Sequence, residues 1–534
     1  MDDSTKVEWH EWGQEAFDAA ARAGRPVLLS LVTPWSGECR GMDATTYADP
    51  RIAANVTDGF VPVRVDADRR PRVRERYNMG WFPSTVFLTP AGQVLTGATF
   101  LGPEGFQDIL DGVRRTWDGK GESAGSVPRA LRNAEPPGGS VHAGVEEHMV
   151  EQLLAAYDDE FGGWGTDVKF PLPRTVEFAL VRARHQATRT LEAVQTHLLD
   201  TYDGGFYRYA RNRNWRGAVR EKLADENAAL VRAFAHGYRY TGEETYREAA
   251  ASTVEYLTTD LWTGEAFAAS QGGDEAYFRL EPTEREDADP PSVDGTVFAD
   301  RNGLAADALL TYAAYTDDER AARYAERALG YVREHLVTGG RVAHYDAPGA
   351  PSGLLIDQAR VLSGLTSAWQ VRGEPGPALS VADWTVDRLS GAGGAFRDGP
   401  TGGAGLLDRP LYPLDTTVEA ANALLDLALL SGEDRYRERA REAVAAFGNA
   451  ADRMSVEVAG YAATAARLLR PRAVEVGAPA GSDLHRAALR LADHETVVVP
   501  GADPLDGEAR VVTGGTAGGT AGSPGELEAL LTGD

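Results

Sequence analysis

The sequence predicts a small α/β domain, then a large (α/α)6 toroid of helical hairpins, then a short α/β tail. Three observations carry this. Short apolar runs alternate with amphipathic stretches through the first part of the chain. A helix-start string recurs through the middle at intervals that two helices and two loops occupy. Double glycines beside an aromatic punctuate the same region. At 534 residues the chain exceeds one ordinary hydrophobic core.

Residues 14–25 read as an amphipathic helix, and the apolar runs at 26–32, 60–65 and 85–88 read as buried strands. Helical stretches at 38–48, 69–78 and 104–116 separate or follow them, which places an α/β domain at 1–118. Residues 119–141, with Pro136, Pro137, Gly138 and Gly139, lack periodicity and read as a linker.

From 142 to 470 the pattern is helical. The string Thr241-Gly242-Glu243-Glu244 returns at Ser431-Gly432-Glu433-Asp434, and more loosely from Thr316 and Arg372. Each copy marks one helical hairpin. The turns Gly162-Gly163-Trp164, Gly204-Gly205-Phe206 and Gly393-Gly394 allow the left-handed backbone of a sharp bend. Residues 471–534 are rich in Gly, Ala and Pro with strand-like runs at 496–499 and 510–512, a small α/β segment.

Composition excludes several function classes. The net charge of -26 is spread along the chain, so neither a nucleic-acid nor an anionic-membrane partner is expected. Lys6, Lys120, Lys169 and Lys222 are the only lysines among 54 basic residues. This pattern resembles that of proteins adapted to high salt, where the Debye length falls to roughly 3 Å near 1 M, and a halophilic archaeon is the expected source. A single cysteine, Cys39, rules out an intrachain disulfide and multi-cysteine metal sites. No cofactor and no metal are expected. The chain shows no signal peptide and no run of membrane-spanning length, so a cytoplasmic location is expected.

Trp35-Ser36-Gly37-Glu38-Cys39 after the first strand, and Trp81-Phe82-Pro83-Ser84 before the third, resemble the active-site turn and the cis-proline loop of the thioredoxin superfamily. With Val65-Asp66, Phe161-Gly162-Gly163, Lys169-Phe170-Pro171, Glu221-Lys222-Leu223, Asn302-Gly303-Leu304 and Asp357-Gln358-Ala359, the chain resembles the spermatogenesis-associated thioredoxin-like protein family. The resemblance implies a thioredoxin-like domain joined to a six-hairpin glycosidase-like toroid, similar to sugar epimerases and glycoside hydrolases. The redox motif Trp35, Ser36, Cys39, Pro83 is degenerate: Ser36 stands where the attacking cysteine belongs, so dithiol exchange within one chain is excluded. Buried packing is the expected role of Cys39, and a cis peptide is expected before Pro83.

In the toroid, Glu221, Lys222, Glu226 and Asp357 are the catalytic candidates, because paired carboxylates serve as general acid and base on a sugar. Lys169, Tyr207, Arg208, Lys222, Asn227 and Asn302 are the ligand-binding candidates. A chain that almost avoids lysine keeps two of its four inside these strings. An ion pair of Lys222 with Glu221 or Glu226 is expected, structural in preference to catalytic. Tyr207 and Val219-Arg220 stand where the family pattern usually shows histidine, which weighs against an epimerase-type histidine acid/base. Three functions remain: binding or processing of a carbohydrate or sugar nucleotide by the toroid; a noncatalytic, chaperone-like role in which the thioredoxin-like groove holds a protein partner; and redox chemistry between Cys39 and a partner thiol, which requires a reactive, accessible sulfur.

Overall fold

The computed structural model describes residues 5–132 and 135–532. It divides into two compact units. The first comprises residues up to 135 together with 272–274 and 398–411; the second holds the rest.

The first unit is thioredoxin-like. Strands β1 (His10–Glu11), β2 (Val27–Val32), β3 (Val61–Asp66), β4 (Ser84–Leu88) and β5 (Val94–Ala98) form a sheet in the order β1-β3-β2-β4-β5. The β2–β3 pairing is parallel, whereas β4 runs antiparallel to β2 and β5. All six residues of β2 are buried, as a central strand covered on both faces requires. Val27, Leu29 and Leu31 pack with Val63 and Val86 on one face; Leu28 and Phe87 pack with Phe106 and Leu110 on the other. Helices α1 (Gln14–Ala23), α2 (Gly37–Thr45), α3 (Pro50–Gly59), α4 (Pro71–Tyr77) and α5 (Pro103–Lys120) accompany the sheet. The peptide bond before Pro83 is cis.

The stretch 119–141, read as a linker, carries local structure. Helix α5 runs to Lys120, a 3-10 turn spans Gly121–Ala124, and Ser126 bridges to Val94 at the sheet edge. Residues 133 and 134 of that stretch lie outside the described residues. The segment 398–411 joins this unit through Asp398, whose carboxylate receives Arg76 at 2.6 Å and Arg72 at 3.0 Å. Leu406 donates its amide to the Tyr77 hydroxyl at 2.9 Å.

In the second unit, six helices form an inner ring: α7 (Pro173–Arg182), α9 (Ala224–Thr241), α11 (Ala299–Thr316), α13 (Leu355–Arg372), α15 (Leu414–Ser431) and α17 (Ala459–Leu469). Each packs on the next, and α17 closes on α7. The outer partners are α6 (Gly144–Ala155), α8 (Arg184–Leu198), α10 (Glu244–Thr259), α12 (Glu319–Tyr331), α14 (Ala378–Leu389) and α16 (Asp434–Ala445). This is an (α/α)6 toroid. The recurring string sits at inner-to-outer junctions: Gly242, Gly373 and Gly432 end inner helices in the left-handed conformation, and so does Asp317. Helices α11 and α13 approach so closely at Gly303 and Gly364 that a Cβ on Gly303 would lie 2.5 Å from the Arg360 carbonyl oxygen.

The tail adds β6 (Arg472–Val476), α18 (Asp483–Leu491), β7 (Val497–Pro500), β8 (Ala509–Thr513), β9 (Thr516–Ala521) and α19 (Pro524–Thr532). Its sheet has the order β7-β6-β8-β9. It seats on α13 through Gln370, which takes the amide of Val498 and contacts His485. No helix among the described residues is long and apolar enough to cross a membrane.

Candidate functional site

Lys169 and Lys222 prove to be one structural device used twice. Each ammonium is sealed from solvent. Lys222 donates to Asp200 at 2.9 Å and to the Gly204 carbonyl at 2.7 Å; Lys169 donates to Asp158 at 2.9 Å and to the Gly162 carbonyl at 3.0 Å. Both therefore brace a double-glycine turn. In that turn Gly205 has a positive φ, and a Cβ on it would lie 2.5 Å from the Tyr256 ring, so only glycine fits. The partner of Lys222 is thus Asp200, not Glu221 or Glu226. Tyr207 is buried edge-on to Phe278 and helps enclose Lys222. Trp164 and Trp215 are buried as well.

Asn227 and Asn302 are backbone clamps. Asn227 accepts the amide of Phe206 at 2.6 Å and donates to its carbonyl at 3.2 Å. Asn302 does the same to Phe267, at 2.8 and 3.0 Å. Gln358 repeats the arrangement, accepting from Val342 at 2.7 Å and donating to the Gly340 carbonyl at 3.0 Å. The three occupy the fourth position of α9, α11 and α13, where a side-chain amide meets the loop leading into the helix. Asn227 and Asn302 therefore hold backbone, and Lys169, Lys222 and Tyr207 are likewise engaged within the protein.

The charged residues one and two positions before Asn227 face a different environment. The first turns of the inner helices gather at a mouth whose cavity has a volume of about 370 Å³. Asp225 and Glu226 from α9, Asp415 and Glu419 from α15, Arg174 from α7, Arg360 from α13, and Arg208 line it. Arg208 contacts Glu226 and Glu221, both at 3.3 Å. Burial pushes the Glu226 carboxyl up to about 7, against the pull of Arg208, and its Oε2 has no hydrogen-bond partner. Glu419 shows the opposite outcome: burial would raise it, yet Arg174 and Arg360 hold it down to about 2. Phe170 lines the cavity and stacks on the buried Tyr209, 4.9 Å between centroids. A second chamber of about 170 Å³ lies deeper, bounded in part by Asp493 to Thr496 of the tail.

Of the four catalytic candidates, the mouth brings Glu226 and Glu221 together on Arg208. Asp357 lies apart, fully buried, 2.8 Å from His344 Nδ1 and grouped with Asp300. These three residues could hold a metal ion, which the sequence reading did not foresee. His344 sits in a loop with no ligand spacing to betray it, and only the toroid brings it to the helix starts.

In the first unit, Ser36 caps α2 by accepting the amide of Cys39. Cys39 is buried, and burial pushes its thiol up to about 11. Trp35 donates to Asp68 at 2.9 Å, and its carbonyl accepts from Gly273 at 3.2 Å. The degenerate motif is therefore covered by chain from 272–274.

Residues 2–133 match the family model Thioredox_DsbH, described as a protein of unknown function, DUF255. The chain is 28% identical over 295 residues to human spermatogenesis-associated protein 20, covering 48% of this chain and 37% of that protein. It is 26% identical over 288 residues to an uncharacterised protein of Caenorhabditis elegans, covering 48% of this chain and 39% of that one. The matches thus take in little more than a third of those relatives. Among solved structures, a sugar epimerase from a ruminal bacterium aligns with a TM-score of 0.45 at 14% identity, over 58% of this chain and 86% of that one. Cellobiose 2-epimerase from Spirochaeta thermophila aligns with a TM-score of 0.45 at 19% identity, over 56% and 82%.

Proposed function

We propose that the toroid mouth binds a carbohydrate and that Glu226 exchanges a proton with it. The observation that carries this reading is a cavity-lining carboxyl poised near pH 7, with Glu221 on the same guanidinium. A group half-protonated at neutral pH both gives and takes protons readily, which general acid/base chemistry at a sugar oxygen or carbon needs. Arg208 positions the two carboxylates. Phe170, backed by the buried Tyr209, offers an apolar face to a sugar ring, and the remaining carboxylates accept hydroxyl hydrogens.

The test is a thermal-shift and turnover screen against mono- and disaccharides and sugar nucleotides, run in high salt with Glu226→Gln beside the wild-type chain. Stabilisation by a sugar in both proteins, with turnover only in the wild type, is the expected result. No sugar-dependent shift in either would sink the reading.

A protein partner at the thioredoxin-like unit is the second reading. It is favoured by the exposed Trp81 beside the cis-proline loop and by exposed Phe100, and opposed by the cover over Trp35. The acidic surface we ascribe to a high-salt, cytoplasmic habitat, not to either function.

A further inference from the structure

We infer that Asp300, His344 and Asp357 form a site for one divalent cation, Zn²⁺ or Mn²⁺, which fastens α11 and α13 to the loop that carries His344. The site stands independently of any sugar at the mouth.

The geometry comes first. Each residue offers one ligand atom, and the three lie within 4.8 Å of one another. Ligands held about 2.0–2.2 Å from an ion stand at most about 4.4 Å apart, so a small rotation closes the set. All three side chains are buried. The backbone that carries them is already tied, with Ala299 donating its amide to the His344 carbonyl at 2.9 Å.

Two buried carboxylate oxygens, Asp300 Oδ1 and Asp357 Oδ2, have no hydrogen-bond partner. A buried acceptor without a partner is costly, and a buried charge more so. Asp357 can keep its 2.8 Å contact with His344 through Oδ1 and still present Oδ2 to an ion. Compensation nearby is thin: Arg360 reaches Asp300 at 3.1 Å but also serves Asp225 and Glu419. A dication would satisfy both orphaned oxygens and offset the excess negative charge. Two carboxylates with one imidazole suit an ion that accepts both oxygen and nitrogen, which sets Zn²⁺ and Mn²⁺ above the harder Mg²⁺.

The experiment treats the full chain with chelator and then titrates ZnCl₂ and MnCl₂ calorimetrically, in molar KCl with excess Mg²⁺ to occupy surface carboxylates. One ion bound per chain, a higher melting temperature, and at least about a tenfold loss of affinity in Asp357→Asn are expected. Failure of both cations to bind stoichiometrically, or equal binding by the variant, overturns the proposal. So does an Asp357→Asn chain that melts higher than a wild type that binds nothing, because the two carboxyls would then be sharing a proton. If Asp357→Asn does not fold, His344→Gln puts the same question.

Discussion

Lys222 and Asp200 form an ion pair 2.9 Å long with both side chains sealed from solvent. The pair locks the Gly204-Gly205 turn between an outer and an inner helix. Removing Asp200 leaves the buried Lys222 ammonium uncompensated, which costs about 3–5 kcal/mol, whereas removing Lys222 leaves Asp200 a second partner, Arg285 at 3.0 Å. Asp200→Asn is therefore expected to lower the unfolding free energy by that amount in a denaturant titration, and Lys222→Met by less. The double change Lys222→Met with Asp200→Asn should recover part of the loss, and sugar affinity per folded molecule should not change.

The amide clamps make a related prediction with a smaller magnitude. Asn227→Ala strands the amide and carbonyl of Phe206, at about 1–3 kcal/mol for a buried unsatisfied group. Asn302→Ala strands those of Phe267 alike. Both should melt earlier than wild type while any ligand response of the remaining folded protein is unchanged. A loss of ligand response without a loss of stability would restore the binding role that the sequence suggested.

These two devices show what was legible in the sequence and what was not. The apolar run of β2 is readable because a strand buried on both faces must be apolar throughout. The double glycines are readable because few other residues take two positive φ angles in succession. Lys169 and Lys222 stand out by their rarity, but rarity does not name a partner: Asp200 lies 22 residues from Lys222, beyond any local spacing rule, whereas Glu221 and Glu226 lie nearby in sequence and point elsewhere. Asn227 and Asn302 look like ligand groups because an amide in a polar helix start fits a pocket as well as a loop. Short strands such as β1, and His344, carry no periodic signal and are placed by tertiary contact.

Cys39 should be inert in the folded chain. Its thiol is buried and pushed up to about 11 from an ordinary value of 9.0, so the thiolate fraction at pH 8 falls about a hundredfold, and the thiolate is the nucleophile. Iodoacetamide should label the native protein at least that much more slowly than the protein in denaturant. Equal rates would mean that the thiol is accessible and ordinary, and only faster labelling of the native protein would support a redox role.

The mouth carboxylates predict opposite pH responses. Glu226 has its folded-state pKa raised to about 7 from 4.5 by burial, so between these values the folded chain binds more protons than the unfolded one. Stability then falls as pH rises from about 4.5 through 7 and is flat above. Glu419, held at about 2, contributes stability that is full above 4.5 and lost as pH falls towards 2. Melting temperatures of wild type and Glu226→Gln, measured from pH 5 to pH 8, should separate as pH rises, with the variant the more stable at pH 8 because it lacks the poorly solvated negative charge at the cavity wall. A constant difference across that range would mean that Glu226 titrates as an ordinary surface carboxyl, and the acid/base role assigned to it would go with it.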